Sequence, residues 1–210
     1  MLLPTVCPAC GAHGPAPCSR CRDLVRPAPA LPPPPGLDWC TAVMAYEGVG
    51  RELVARLKYR NARSVLPWLA TEMAALVALR GTTGVDVVTW VPTTAARRRA
   101  RGFDHGRLLA VAAARRLGLP CRPLVRRLAG PPQTGSTRAA RLAGPRLTLV
   151  GPARTPPAGV LLVDDVLTTG ATLAAAAGLL RSAGTKRVVA AVAARRSSRF
   201  TGDPDALLGR

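Results

Sequence analysis

Between residues 39 and 196 the chain alternates short, dense apolar runs with longer stretches whose apolar residues recur at helical spacing. Dense runs rich in Val, Leu and Ala read as buried strands, and the 3.6-residue period reads as helix. "WCTAVMAYEG" (39–48) predicts a strand ending in a turn. "VGRELVARLKYR" (49–60) and "VLPWLATEMAALVALR" (65–80) predict helices, and "VDVVTWVP" (85–92) predicts a buried strand. "FDHGRLLAVAAARRLG" (103–118) predicts a helix stopped at Gly118, and "CRPLV" (121–125) a short strand. Residues 127 to 145, basic and glycine-rich, read as a loop. The run at 160–163 predicts a parallel strand ending at two acids, a helix follows from Leu173, and "RVVAAVAA" (187–194) closes as a strand. Strands alternating with helices predict an α/β domain with a parallel sheet. No internal repeat is present.

Between the strand at 160–163 and the helix from Leu173 lie Asp164, Asp165, Thr168, Thr169, Gly170 and Thr172. Open α/β sheets hold ligands beyond the carboxyl ends of their strands. The first amides of a helix lack partners within it and sit at the positive end of its dipole. Threonine hydroxyls add donors, and Gly170 lets the backbone approach closely. These features make a phosphate cradle. Two aspartates beside a phosphate repel it unless they face a sugar diol or a hydrated Mg²⁺. A ribose phosphate satisfies both ends. A Mg²⁺ site of the receiver or phosphatase kind and a structural threonine-capped turn remain as alternatives. A Walker A loop does not, because Lys58 and Lys186 are the chain's two lysines and neither follows Gly170.

"VLLVDDVLTTGAT" (Val160 to Thr172) also resembles the phosphoribosyl-pyrophosphate (PRPP) motif of type I phosphoribosyltransferases. The resemblance implies that Asp164 and Asp165 take the ribose hydroxyls. It implies that Leu167, Thr168, Thr169, Gly170, Ala171 and Thr172 wrap the 5′-phosphate. The fold it implies is a parallel-sheet, Rossmann-like type I phosphoribosyltransferase domain.

The amino-terminal "CPACGAHGPAPCSRC" adds a second chemistry. Cys7, Cys10, Cys18 and Cys21 form two C-x2-C pairs, the spacing of a four-thiolate Zn²⁺ knuckle. Four sulfurs close the coordination sphere, so the metal is structural. Paired disulfides, or His13 in place of one cysteine, are the alternatives. Cys40 and Cys121 read as core thiols. Residues 23–38, "DLVRPAPALPPPPGLD", read as a proline-rich linker. The expected organisation is a knuckle at 1–22, a linker at 23–38, the phosphoribosyltransferase-like domain at 39–196 and a tail at 197–210.

The 210 residues suffice for one sizeable core, and no run approaches the roughly 18 apolar residues of a membrane span. "MLLPTVCPAC" has neither the basic start nor the apolar stretch of a secretory signal, so a cytoplasmic location without membrane insertion is expected. Thirty basic residues against eleven acidic ones give a net charge of +19, which points to a polyanionic partner or to a solvated basic surface. Aromatics make up 3% of the chain, which disfavours a surface that stacks many single-stranded bases. Arg97, Arg98, Arg99 and Arg101 follow the strand at 85–92 and fall at the same sheet edge as the aspartates. Guanidinium forks match phosphate oxygens in pairs, so these arginines could clamp a pyrophosphate; an exposed basic loop is the alternative.

Taken together, the four-cysteine knuckle, "LKYRNAR" (Leu57 to Arg63), "RRRARGFDH" (Arg97 to His105), "PPQTGSTRAAR" (Pro131 to Arg141) and the PRPP motif resemble the ComF family of competence proteins. The chain departs from that pattern at Asp104 and His105, where the family often has Asn-Gln, and at Gly144, where it tends to have Asn. At the start of a helix, His105 is expected to be exposed. The resemblance implies binding of PRPP with Mg²⁺ and phosphoribosyl transfer to an acceptor. It also implies the alternative of a non-catalytic factor in DNA uptake, with single-stranded DNA and a competence helicase as partners.

Overall fold

In the computed structural model the described residues are 5–94, 98–99, 102–128, 145–150 and 156–197. Four strands form one parallel sheet: β1 (Cys40–Ala45), β2 (Val87–Trp90), β5 (Gly159–Leu167) and β6 (Arg187–Arg195), in the order β1-β6-β5-β2. β5 and β6 lie at the centre. Their apolar runs are buried on both faces: Val160 to Val163 and Val188 to Ala194 are at most 1% exposed.

A short helix, α1 (Ser19–Asp23), follows Cys18 in the knuckle, and the longer helices cover both faces of the sheet. α2 (Gly48–Arg60), α3 (Leu66–Arg80) and α4 (His105–Leu117) share one core with Leu161, Val163 and Val189. α5 (Ala171–Ser182) covers the other face with Val160, Leu162 and Val188. α3 shows why its sequence is helical: Leu66, Leu69, Ala70, Met73, Ala74 and Val77 are all buried, at spacings of three and four. α2 stops at Asn61, which takes the left-handed conformation at φ 52°, and α4 stops at Gly118 at φ 68°. Because α4 follows β2 on one face and α5 follows β5 on the other, the carboxyl ends of β2 and β5 form a switch point, where such sheets open a crevice.

The structure corrects several expectations. β5 does not end at the aspartates but runs through both to Leu167, paired with β6 to its last residue. α5 starts at Ala171, two residues before the expected Leu173, so Thr172 lies in its first turn. "CRPLV" is not itself a strand. Cys121 makes a single bridge to Val88, and the strand is β3 (Val125–Arg127), antiparallel to β4 (Leu147–Leu149). Cys40 and Cys121 are half-buried at the margins of the core rather than within it. "PPQTGSTRAAR" and Gly144 lie outside the described residues. No helix among the described residues is long and apolar enough to cross a membrane.

The proline-rich segment is packed against the domain as a strap. Leu37 is in the core beside α5, and Pro34 is buried. Arg195, itself 8% exposed, donates from Nη1 to the Leu31 carbonyl (2.9 Å) and from Nη2 to the Pro32 carbonyl (2.6 Å). Asp38 pairs with Arg181 at 2.7 Å and accepts from the Val188 amide. A polyproline stretch has few backbone donors of its own, so its carbonyls take donors from elsewhere.

Candidate functional site

At the switch point, β5 presents Asp164 and Asp165 as neighbours on one strand. Successive strand residues face opposite sides of the sheet. Leu161 and Val163 face α2 to α4, and Asp165 continues that row. Val160 and Leu162 face α5, and the alternation puts Asp164 in their row. The two carboxylates therefore diverge.

Asp165 is buried at 8% exposure and enclosed by Lys58 and His105. Lys58 Nζ, from the last turn of α2, lies 2.8 Å from its Oδ1, and His105 Nε2, from the first turn of α4, lies 2.8 Å from its Oδ2. His105 is 4% exposed, so the expectation of an exposed histidine is overturned. The reason is the entry into α4. Asp104 caps the helix by accepting from the Arg107 amide, and this turns His105 inward. The His105 ring meets Phe103 edge-on at 6.0 Å, and Arg63 lies over Phe103 at 5.2 Å. Arg63 also donates to the Asn61 side chain at 2.7 Å. "LKYRNAR" and "GFDH" thus converge on one carboxylate. Neither Lys58 nor His105 was singled out as a site residue. The signals available were their place in "LKYRNAR" and "RRRARGFDH", motifs that carry the ComF resemblance, and their rarity, with two lysines and two histidines in the chain.

The electrostatics split the pair. Burial pushes the Asp164 carboxyl up to about 8, aided by the charge of Asp165 and opposed by the Asp165 amide and Lys58. Burial also acts on Asp165, but Lys58 and His105 outweigh it and hold that carboxyl at about 2. The Asp165 amide donates to Asp164 Oδ1 at 2.8 Å, which fixes the orientation of the Asp164 carboxyl.

Beyond β5 the chain turns through Thr168 and Thr169, both exposed, to a buried Gly170. Leu167, expected in the loop, is the buried end of the strand. Gly170 sits at φ 79°, and a Cβ there would lie 2.8 Å from Pro34 Cγ, so conformation and packing both require glycine. Thr169 Oγ1 accepts from the Ala171 amide at 3.3 Å. Thr168, Thr169, Gly170, Ala171 and Thr172 therefore form the turn and first residues of α5, whose leading amides face out of the helix. The strap runs beside this turn. Leu31 to Pro35, Leu167 to Thr169 and Arg195 to Ser197 line a cleft of about 280 Å³.

Arg98 and Arg99 are exposed after β2, within a turn in which the Arg98 amide donates to the Thr94 carbonyl. Arg97 and Arg101 lie outside the described residues.

In the knuckle the sulfurs of Cys7, Cys10, Cys18 and Cys21 lie within 4.8 Å of one another. Cys10 Sγ and Cys18 Sγ are 3.7 Å apart, close to the ~3.8 Å edge of a tetrahedron with Zn–S bonds of about 2.3 Å, and all four thiols are free. Burial raises the thiols of both Cys7 and Cys21. At Cys7 the amides of Cys18, Cys10 and Ala9 outweigh it and bring the thiol to about 6, while at Cys21 the neighbouring sulfurs add to it. Amide donors aimed at a sulfur stabilise the thiolate form that binds metal. The cluster could hold one metal ion.

Solved structures similar to this one include the glutamine PRPP amidotransferase of B. subtilis complexed with ADP and GMP. It is 20% identical with a TM-score of 0.44, over 66% of this chain and 30% of that one, so the chain spans about a third of its length. A hypoxanthine phosphoribosyltransferase from Staphylococcus aureus is 17% identical with a TM-score of 0.40, over 66% of this chain and 67% of that one. An adenine phosphoribosyltransferase is 19% identical with a TM-score of 0.40, over 63% and 72%. No curated protein matches the chain. Residues 104–205, which include the clamped acid, the threonine turn and β6, match the phosphoribosyl transferase domain, and the chain carries a domain of that type behind its four-cysteine knuckle.

Proposed function

We propose that the protein binds PRPP with Mg²⁺ at the carboxyl edge of β5 and transfers its phosphoribosyl group to an acceptor, as a ComF-type protein. One observation carries the reading. A single strand delivers a fixed carboxylate and, within eight residues, a glycine–threonine turn opening a helix. That spacing suits the hydroxyls and 5′-phosphate of one ribose phosphate. Thr168 to Thr172 donate to the phosphate, and the acidic end of the strand accepts from the ribose hydroxyls. Mg²⁺, a hard cation that favours carboxylate and phosphate oxygens, would neutralise pyrophosphate charge beside Asp164. In the transfer the bond from the ribosyl carbon to pyrophosphate breaks, pyrophosphate leaves with the electron pair, and the acceptor's lone pair forms the new bond. Positioning and charge balance supply most of the rate. Arg97, Arg98, Arg99 and Arg101 are the proposed cationic contacts of the leaving group. Zn²⁺ in the four thiolates is structural. Titration calorimetry with PRPP and Mg²⁺ tests the reading: saturable heat is expected, and no heat at millimolar ligand overturns it.

A second reading, a DNA-handling factor, is favoured by the +19 net charge and by exposed Arg20, Arg22 and Arg26 beside the knuckle. Its affinity for single-stranded DNA would fall steeply with salt. Affinity unchanged between low and high salt counts against it.

A further inference from the structure

The paired aspartates invite a symmetric role, with both accepting from one sugar. The geometry points to a division of labour: we propose that Lys58 and His105 are positioning residues that withdraw Asp165 from the ligand, so that Asp164 alone accepts the ribose hydroxyls. This rests on the reading of the site as a ribose phosphate site and specifies how it works.

Both Asp165 oxygens are engaged, Oδ1 by Lys58 and Oδ2 by His105, each at 2.8 Å. The side chains of all three are largely buried, at 17% exposure for Lys58, 11% for Asp165 and 5% for His105. A sugar would have to displace a charge-assisted bond to reach Asp165, and would strand a buried cation. Asp164 points the other way along the strand alternation. The Asp165 amide occupies one position on its Oδ1, and its remaining acceptor sites are available for a diol. The clamp acts through the backbone. Holding the Asp165 side chain holds its amide, and the amide orients the Asp164 carboxylate. Phe103 and Arg63 brace the His105 ring, so the clamp joins α2 and α4 to β5.

The test is binding of two probes, ribose 5-phosphate and inorganic phosphate, to the full chain. Inorganic phosphate reads the threonine turn alone, and ribose 5-phosphate reads the turn and the acid. In Asp164→Asn, measured above about pH 8 where Asp164 is ionised, ribose 5-phosphate should weaken at least about tenfold, the scale of one charge-assisted hydrogen bond, with phosphate affinity unchanged. Asp165→Asn keeps its amide and should weaken ribose 5-phosphate clearly less. Lys58→Met, which loosens the same clamp, should match Asp165→Asn, with a smaller loss of ribose 5-phosphate than in Asp164→Asn and phosphate affinity unchanged, and Lys58→Arg should recover most of that loss. Should Lys58→Met fail to fold, His105→Gln, which retains a donor toward Asp165, set against His105→Leu gives the same comparison. Equal losses in Asp164→Asn and Asp165→Asn overturn the division of labour. Parallel loss of both probes in Lys58→Met, or loss of neither, overturns the positioning role. A wild type that binds phosphate but not ribose 5-phosphate overturns the ribose reading itself, and the clamp's role with it.

Discussion

The knuckle and the sheet edge each gather a few polar side chains, but they are assembled differently. Cys7, Cys10, Cys18 and Cys21 come from one short stretch, held by local bonds such as the Cys7 amide to the Ala12 carbonyl and the Arg22 amide to the Cys18 carbonyl. Lys58, His105 and Asp165 come from α2, α4 and β5 and meet only when the sheet and its helices have packed. The knuckle would depend on a metal held by its four thiols, because so small a segment cannot bury enough surface to fold alone. The sheet edge depends on the core beneath it. The strap between them is anchored to the domain at Leu37, Asp38 and the carbonyls held by Arg195.

The largest expected effect separates the two regions. Cys18→Ser should release one Zn²⁺ per chain and remove on the order of 10 kcal/mol of metal binding. Hydrogen exchange should then show residues 5–24 open while β5 and β6 stay protected. Loss of protection in the sheet would mean that the regions fold as one. The next effect belongs to the sheet edge. Lys58→Met leaves the buried Asp165 with one partner fewer and should cost about 3 kcal/mol in a urea titration, with knuckle zinc retained.

pH sharpens the contrast between the two acids. Asp165 is held low, so its share of stability is complete above the ordinary carboxylate value near 4 and is lost as pH falls toward about 2. Asp164 is held high, so the ligand-free fold binds more protons than the unfolded chain between about 4 and 8, and its stability falls as pH rises through that range. Urea midpoints at about pH 5 and 8 should therefore differ in the wild type, and the difference should shrink in Asp164→Asn. The smallest effect lies in the strap. Arg195→Met removes two hydrogen bonds to it, at about 1 kcal/mol each, and should open residues 27–35 to limited proteolysis while lowering the main melting temperature by only a few degrees.

What the sequence revealed follows the same division. The knuckle was legible because metal ligands at fixed local spacing carry their own geometry. The central strands and the helices of both faces were legible because dense apolar runs and the 3.6-residue period report burial directly. The carboxyl end of β5 was misplaced because Asp164 and Asp165 break the apolar run without breaking the backbone pairing to β6. β3 and β4 are three residues each, too short for a period to register. The motifs that hold Lys58 and His105 were visible, but their meeting at Asp165 was not. Nothing local to Lys58 or His105 announces Asp165, and the two halves meet only through the tertiary packing of α2 and α4 on β5.

The central claim is that Asp164 and the threonine turn hold one ribose phosphate. The most direct measurement is thermal denaturation of the wild type and Asp164→Asn with and without PRPP and Mg²⁺. At a ligand concentration 100 times the dissociation constant, the wild type should gain about 2.7 kcal/mol, and at that same concentration Asp164→Asn should gain much less while melting no lower without ligand. Equal stabilisation of both proteins, or none in the wild type at millimolar ligand, would contradict the account.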